Sequence, residues 1–263
     1  MESMHEFSGD RYESPPPPSL PLLHYLLLGS RWAPYSYFLG VVLRSRALAL
    51  KGIYDDEAWV GTSIDIMRGF ERCGFRFIVE GLDRLRSFDG PAVIVANHMS
   101  TMETVVLPGI INPIKPCTFV VKESLTKGSV WGPIMRARDP IPVSRKDPRA
   151  DLEAVLEGGA RHLASGRSVI VFPQGTRYTP FAREAFNSIG VKLASRTGYP
   201  LLPLALKTDC WGNGKLLRGF GRVNRASPAR FRFGEAIRVS GRGKAEHEAV
   251  LDFIEGCLKE WEG

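Results

Sequence analysis

Residues 92–96, Ala-Val-Ile-Val-Ala, form a short apolar run that opens after Gly90-Pro91 and stops at a polar pair, Asn97-His98. Its length, its β-branched centre and its Gly-Pro entry predict a buried strand rather than a helix. Strands of this kind belong to α/β sheets, whose sites collect at the carboxyl ends of the strands. His98 therefore stands where chemistry is usually done, and an imidazole takes a proton near neutral pH without special tuning. Glu103 follows five residues later. Two readings fit it. Ser100-Thr-Met-Glu103 matches the Ser/Thr-x-x-Glu capping box of a helix start, and a carboxylate near His98 would orient the ring and stabilise its charged form. The readings are compatible if His98 lies in the turn before a helix that begins at Ser100. Positions five apart do not share a helix face, so the pairing requires that arrangement.

The same alternation continues through the chain. Strands are predicted at Phe75–Glu80, Cys117–Val121, Ser168–Phe172, Leu201–Leu206 and, as an edge strand, Ala229–Phe233. Helices are predicted at Asp55–Cys73, from Ser100, at Asp151–Ser165, Arg183–Thr197 and Ala245–Trp261. Gly81-Leu-Asp-Arg-Leu reads as a turn and short helix, and Trp131-Gly132-Pro133 as the start of a loop. The expected fold class is α/β, a largely parallel sheet flanked by helices.

Ahead of this pattern, residues 1–19 are polar and contain Pro15 to Pro18, which predicts a disordered leader. Residues 20–54 carry two apolar runs, Leu20–Leu28 and Trp32–Leu43, separated by Gly29-Ser30-Arg31. Neither run is long enough to span a bilayer, and one continuous span would bury Arg31. Two short helices entering one leaflet fit better, with Trp32, Tyr35 and Tyr37 at the interface and Arg44, Arg46 and Lys51 on anionic headgroups. Residues 55–263 form the remaining domain. The chain carries a net charge of +7, which points to an anionic partner. Arg218, Arg222, Arg225, Arg230, Arg232, Arg238, Arg242 and Lys244 cluster late, as a solvated edge or a membrane-facing patch. No nucleic-acid-binding module or aromatic stacking platform accompanies them, so nucleic acid is not the expected partner. Cys73, Cys117, Cys210 and Cys257 lack metal-ligand spacing and read as reduced packing residues.

A second candidate site follows the strand at Ser168. In Phe172-Pro-Gln-Gly-Thr-Arg177, Gly175 permits close approach of the backbone to a ligand. Thr176 supplies a hydroxyl, and Arg177 a planar fork suited to phosphate oxygens. Taken alone the hexapeptide also fits an ordinary Pro-Gly turn with a solvated arginine. It is not a Walker A loop, since no Gly-Lys-Ser/Thr follows.

Together, Asn97-His98-x4-Glu103 and Phe172-Pro-Gln-Gly-Thr-Arg177 resemble the glycerolipid acyltransferase family, which includes the 1-acylglycerol-3-phosphate acyltransferases. Weaker blocks extend the resemblance from Phe75 to Lys207. Ile141-Pro-Val-Ser-Arg145 resembles the family block whose arginine helps bind the acceptor phosphate. Val121-Lys122-Glu123 resembles its lysine-bearing strand end, and Leu201-Leu-Pro-Leu-Ala-Leu206 its last block. The apolar amino-terminal pair resembles the family's two-helix membrane anchor. The resemblance implies a membrane-associated O-acyltransferase on the cytoplasmic face of a membrane (the inner membrane in a bacterium), peripheral or monotopic. It would move a fatty acyl group from acyl-CoA or acyl-carrier protein to the free hydroxyl of lysophosphatidic acid. His98 would be the general base and Glu103 its orienter. Lys122, Arg145 and Arg177 would hold the phosphate, and N–H groups near Gly175 and Thr176 would face either the oxyanion or the phosphate. Anionic phospholipid and a lysophospholipid are the implied partners, with no metal or other cofactor.

Two residues depart from the family pattern. Its acid is usually Asp where this chain has Glu103, and its Phe-Pro-Glu-Gly-Thr-Arg has Gln174 here. Both raise the alternative of another acceptor, an ornithine- or amino-acid-type lysolipid or glycerol phosphate. A catalytically weak lipid-binding scaffold is the alternative from a different class.

Overall fold

The computed structural model of the chain describes residues 7–16, 32–177, 180–214 and 221–262. The first predicted apolar run, Leu20–Leu28, lies outside the described residues, as do residues 1–6 and 17–19 of the predicted leader and Arg218.

The sheet has eight strands in the order β1-β2-β8-β7-β3-β6-β4-β5. They are β1 (Arg11–Glu13), β2 (Phe77–Glu80), β3 (Val93–Ala96), β4 (Cys117–Lys122), β5 (Ile141–Val143), β6 (Ser168–Val171), β7 (Leu201–Lys207) and β8 (Ala229–Phe233). From β7 through β3, β6, β4 and β5 every pairing is parallel; β8 runs antiparallel to β7, β2 lies parallel to β8, and β1 is antiparallel to β2. The expectation of a largely parallel α/β sheet holds.

The β-branched, doubly apolar strands explain this layering. Strand side chains alternate between faces, so Ile94, Ala96, Ile170, Leu202, Leu204 and Phe231 fall in one core. Val93, Val95, Val169, Val171, Leu201 and Ala205 fall in the other. The first core is covered by α1 (Ala33–Leu50), α2 (Asp56–Arg72) and α4 (Met102–Ile111), which follows the short α3 (Leu82–Arg86). The second is covered by α7 (Pro148–Ala164), α8 (Ile189–Thr197) and α9 (Lys244–Glu262). α2 and α4 pack tightly because Gly109 has no side chain: a Cβ there would sit 3.0 Å from that of Ser63.

Four expectations need correction. Part of the predicted leader is a strand: Arg11 pairs with Glu80 and Tyr12 with Val79. Its anchors are scattered through a polar stretch: Phe7 is buried, and the hydroxyls of Tyr12 and Ser14 donate to Glu71 at 2.7 and 2.5 Å. The predicted loop at Trp131 is instead a helix, α6 (Trp131–Ala137), preceded by the single turn α5 (Ser124–Lys127). Pro133 falls in its first turn, where no N–H is needed for the helix ladder. The helix predicted from Arg183 is only a short 3-10 turn (Arg183–Ala185) before α8. Asn187 separates them by accepting the Ile189 N–H at 3.0 Å, a local bond that competes with helix. Finally, β8 is interior, between β2 and β7. Its polar Arg232 is accommodated there because Glu80 and Glu260 bind it at 2.8 and 2.6 Å and the Trp261 ring covers it.

No described helix is long and apolar enough to cross a membrane. α1 begins one residue into the second predicted apolar run, with Trp32 as its cap, and extends past the run to Leu50. Its buried side is fixed by aromatic contacts: Trp211 meets Tyr35 at 4.8 Å and Phe38 at 5.6 Å between ring centroids.

Candidate active site

β3 ends at Ala96, and the next four residues form a buried turn into α4. The Asn97 side chain extends the sheet past the strand end. Its Nδ2 donates to the Leu206 carbonyl at 2.7 Å, and its Oδ1 accepts the Leu206 N–H at 2.8 Å.

His98 comes next. Its backbone N–H donates to Gln174 Oε1 at 2.8 Å. Its ring lies against Phe172, with centroids 4.5 Å apart and planes at 24°. Phe172 in turn stacks near Phe119 at 6.1 Å. The Nδ1 edge lies 2.8 Å from Glu103 Oε1.

Glu103 is fully buried in the first turn of α4. Oε1 also accepts the N–H groups of Met99 and Ser100 at 2.7 and 3.0 Å. Oε2 accepts the Ser100 hydroxyl at 2.9 Å and the Thr208 hydroxyl at short range. Burial by itself would raise the pKa of this carboxyl. The hydrogen bond from His98, the positive field of its ring, and the bonds from Thr208 and Ser100 outweigh burial and hold Glu103 below the usual carboxylate range. The histidine reading is realised and the capping box only in half: Glu103 reaches back to the Ser100 N–H, but the helix starts at Met102 rather than Ser100, Thr101 is its cap, and the Ser100 hydroxyl accepts the Met102 N–H at 3.1 Å.

A cavity of about 870 Å3 opens in front of His98. Lys122, Arg145, Gly175, Thr176 and Arg177 also line it. The structure thus brings every predicted site residue to one place, with Glu103 behind the histidine rather than on the wall. Lys122 ends β4 and Arg145 follows β5, so both stand at carboxyl ends of neighbouring parallel strands. Arg145 has a positive φ of 61°, a turn held by Asp151, whose carboxylate accepts the N–H groups of Ser144 and Arg145 at 2.7 Å each. Gly175 has φ 67°, which favours glycine. Its N–H is used inside the turn, on the Phe172 carbonyl at 3.3 Å. Its contribution is therefore conformation and an absent side chain rather than a donor for the ligand. Beyond this cationic mouth the lining is largely apolar, with Phe38, Val42, Ile66, Phe119, Trp131 and Ile134, and includes the buried Arg138, which is paired with Asp56.

Three contributors were not singled out from the sequence. Thr208 bonds Glu103 from the end of β7. Phe172 stacks on the histidine. Asn213 links the two motifs: its Nδ2 donates to the Met99 carbonyl at 2.8 Å, and its Oδ1 accepts from Arg177 Nη1 at 3.3 Å. Phe172 lay within a recognised motif, whereas Thr208 and Asn213 carry no local pattern.

Comparisons with known proteins agree with this geometry. Residues 76–207 match the family model described as Acyltransferase. The 1-acyl-sn-glycerol-3-phosphate acyltransferase of Pseudomonas aeruginosa is 30% identical over 187 residues, covering 70% of this chain and 69% of that protein. The chloroplastic 1-acyl-sn-glycerol-3-phosphate acyltransferase of Arabidopsis thaliana is 30% identical over 143 residues, and the chain spans 38% of its length. A lyso-ornithine lipid O-acyltransferase of Rhizobium meliloti is 33% identical over 104 residues, 39% of this chain and 32% of that protein. The crystal structure of the 1-acyl-sn-glycerophosphate acyltransferase of Thermotoga maritima shares the fold, with a TM-score of 0.64 at 20% identity over 92% of this chain and 98% of that one. With the family model covering half of its length and His98 and Arg177 on one cavity, the chain belongs to the acyltransferase family.

Proposed function

We propose that the protein transfers a fatty acyl group from acyl-CoA or acyl-carrier protein to the free hydroxyl of lysophosphatidic acid, giving phosphatidic acid, while held peripherally on a membrane. The observation that carries this reading is the His98–Glu103 pair, 2.8 Å apart, at the meeting of a cationic mouth and an apolar chamber. With Nδ1 committed to the Glu103 carboxylate, Nε2 is the ring nitrogen that receives the hydroxyl proton. The freed oxygen attacks the thioester carbonyl carbon. When the tetrahedral intermediate collapses, the C–S bond breaks, and His98 returns the proton to the departing sulfur as a thiol. Glu103 steadies the imidazolium formed between these steps. Lys122, Arg145 and Arg177 hold the acceptor phosphate by charge-assisted hydrogen bonds, and the apolar chamber takes an acyl chain. The proposed chemistry asks for no metal.

A lyso-aminolipid acceptor is the second reading. Gln174, a departure from the family motif, leaves room for it, and the likeness to the Rhizobium meliloti relative favours it. Acyl transfer by the purified protein in vesicles, with both donors and a panel of lysophosphatidic acid, glycerol phosphate and lyso-ornithine lipid, separates them. Product from lysophosphatidic acid that disappears in His98→Ala is the expected result. Product from another acceptor alone favours the second reading, and no product with either donor overturns both.

A further inference from the structure

The exposed large apolar side chains among the described residues concentrate on two pieces of chain. One is α1 with its flanks, where Trp32, Leu39, Leu43, Leu50 and Ile53 are exposed. Positions 32, 39, 43 and 50 fall on one face of a helix with 3.6 residues per turn. The other is the turn from Ser124 to Val130, where Leu125 is 43% and Val130 36% exposed. The two pieces are neighbours. Arg46 Nε donates to the Ser129 carbonyl at 2.9 Å, and the Phe38 ring lies 6.0 Å from that of Trp131. The chamber passes between them, lined by Phe38 and Val42 on the α1 side and by Leu125 and Trp131 on the other. Leu125 thus faces both the chamber and the outside. Exposed cations accompany these pieces: Lys51 at the end of α1, Arg136 on α6, and Lys127 on the turn, where Glu123 pairs with it at 2.6 Å.

We propose that the turn 124–130 is a second bilayer-contacting element, and that between it and α1 the chamber opens sideways into an anionic lipid surface. The inference rests on the reading of a lipid acceptor, and it extends membrane contact beyond residues 20–54. An acyl chain would then enter from hydrocarbon without crossing water, while the basic rim meets headgroups. Apolar side chains exposed around a cavity mouth and flanked by cations are what such a surface requires.

The test uses the full chain with Leu125→Cys or Val130→Cys, each carrying an environment-sensitive fluorophore. The four native cysteines are buried, so the new thiol is the one that labels. Lys259→Cys on α9, across the sheet, is the control. On vesicles of phosphatidylcholine and phosphatidylglycerol, labels at 125 and 130 should shift to the blue and be quenched by lipids brominated in the acyl chain, and the label at 259 should not. In parallel, Val130→Asp, on the turn but outside the chamber lining, should lower turnover of vesicle-embedded lysophosphatidate by about tenfold or more, and that of a short-chain, water-soluble lysophosphatidate by less than about twofold. A label at 125 that stays in water on vesicles overturns the proposal. So does a label at 130 that is shielded before vesicles are added, because protein would then already cover the turn. Equal losses on both substrates also overturn it, since they indicate damage to the chamber. If the parent protein acylates neither lysophosphatidate, the acceptor reading fails, and the quenching measurement still decides the role of the turn.

Discussion

His98 Nδ1 sits 2.8 Å from Glu103 Oε1, and that carboxylate is closed to solvent on every side. The pair acts as a unit. Glu103→Gln removes the negative charge and presents an amide to the ring. Initial acyl-transfer rates should fall by about 10²- to 10⁴-fold, as expected when the orienting carboxylate of a general base is lost. Glu103→Asp keeps the charge on a shorter arm and should lie between the two. A Glu103→Gln protein with full turnover would remove the carboxylate from the mechanism.

Acid should expose the same carboxylate. Its folded-state pKa is lowered, so the unfolded chain binds the proton more readily. The resulting stabilisation is fully present above the ordinary glutamate value of about 4.3 and is lost as pH falls below it toward the folded-state value. Denaturant unfolding of the parent between pH 6 and pH 3 should therefore lose stability more steeply than unfolding of Glu103→Gln. Parallel curves would contradict the assignment.

Asn213 ties Arg177 to the histidine turn, so its removal should be felt in binding. Asn213→Ala loses one hydrogen bond to a charged group and one to a carbonyl. The KM for a phosphate-bearing acceptor should rise by about three- to tenfold, with a smaller change in kcat, consistent with about 1 kcal/mol of lost interaction. Equal KM values for parent and variant would show that Arg177 is held by other contacts.

Gly175→Ala tests the conformation of the second loop. Nothing lies within 4 Å of a Cβ built there, so the cost arises from φ alone. A non-glycine residue in that region costs about 1–2 kcal/mol. Gly175→Asn should be milder, because asparagine tolerates the left-handed region. Thermal unfolding and acceptor KM should rank the proteins parent, Asn, Ala.

The cysteines should behave as packing groups. Burial pushes the Cys117 and Cys210 thiols up to about 12, and Cys73 and Cys257 are raised by the same cause. Iodoacetamide at pH 8 should modify none of them in the native protein and all of them after denaturation, as read by mass spectrometry.

The layered sheet and the His98–Glu103 pair were legible in the sequence because both depend on local pattern. Val93 to Val95 and Val169 to Val171 announce strands buried on two faces. His98 and Glu103 lie within one turn of each other once a helix begins between them. What stayed hidden depends on distant partners. Arg11–Glu13 is a strand because Glu80 and Glu71 wait for it elsewhere, and no propensity in its own residues says so. Arg232 looked like an edge residue because its carboxylate partners, Glu80 and Glu260, come from other elements. Thr208 and Asn213 reach the site only after β7 has crossed the sheet, so spacing gives no sign of them.

The Asn97 amide behaves as a side-chain peptide unit, giving and taking the two hydrogen bonds of Leu206, 109 residues further along the chain. The aim of the neighbouring imidazole is thus referenced to a strand made much later in synthesis. A nascent chain that has completed both sequence motifs but not β7 has the Glu103, Phe172 and Gln174 partners of His98, but neither the Leu206 anchor of Asn97 nor the Thr208 bond to Glu103. Competence for chemistry should therefore arise in one step, when that strand docks, rather than grow with chain length.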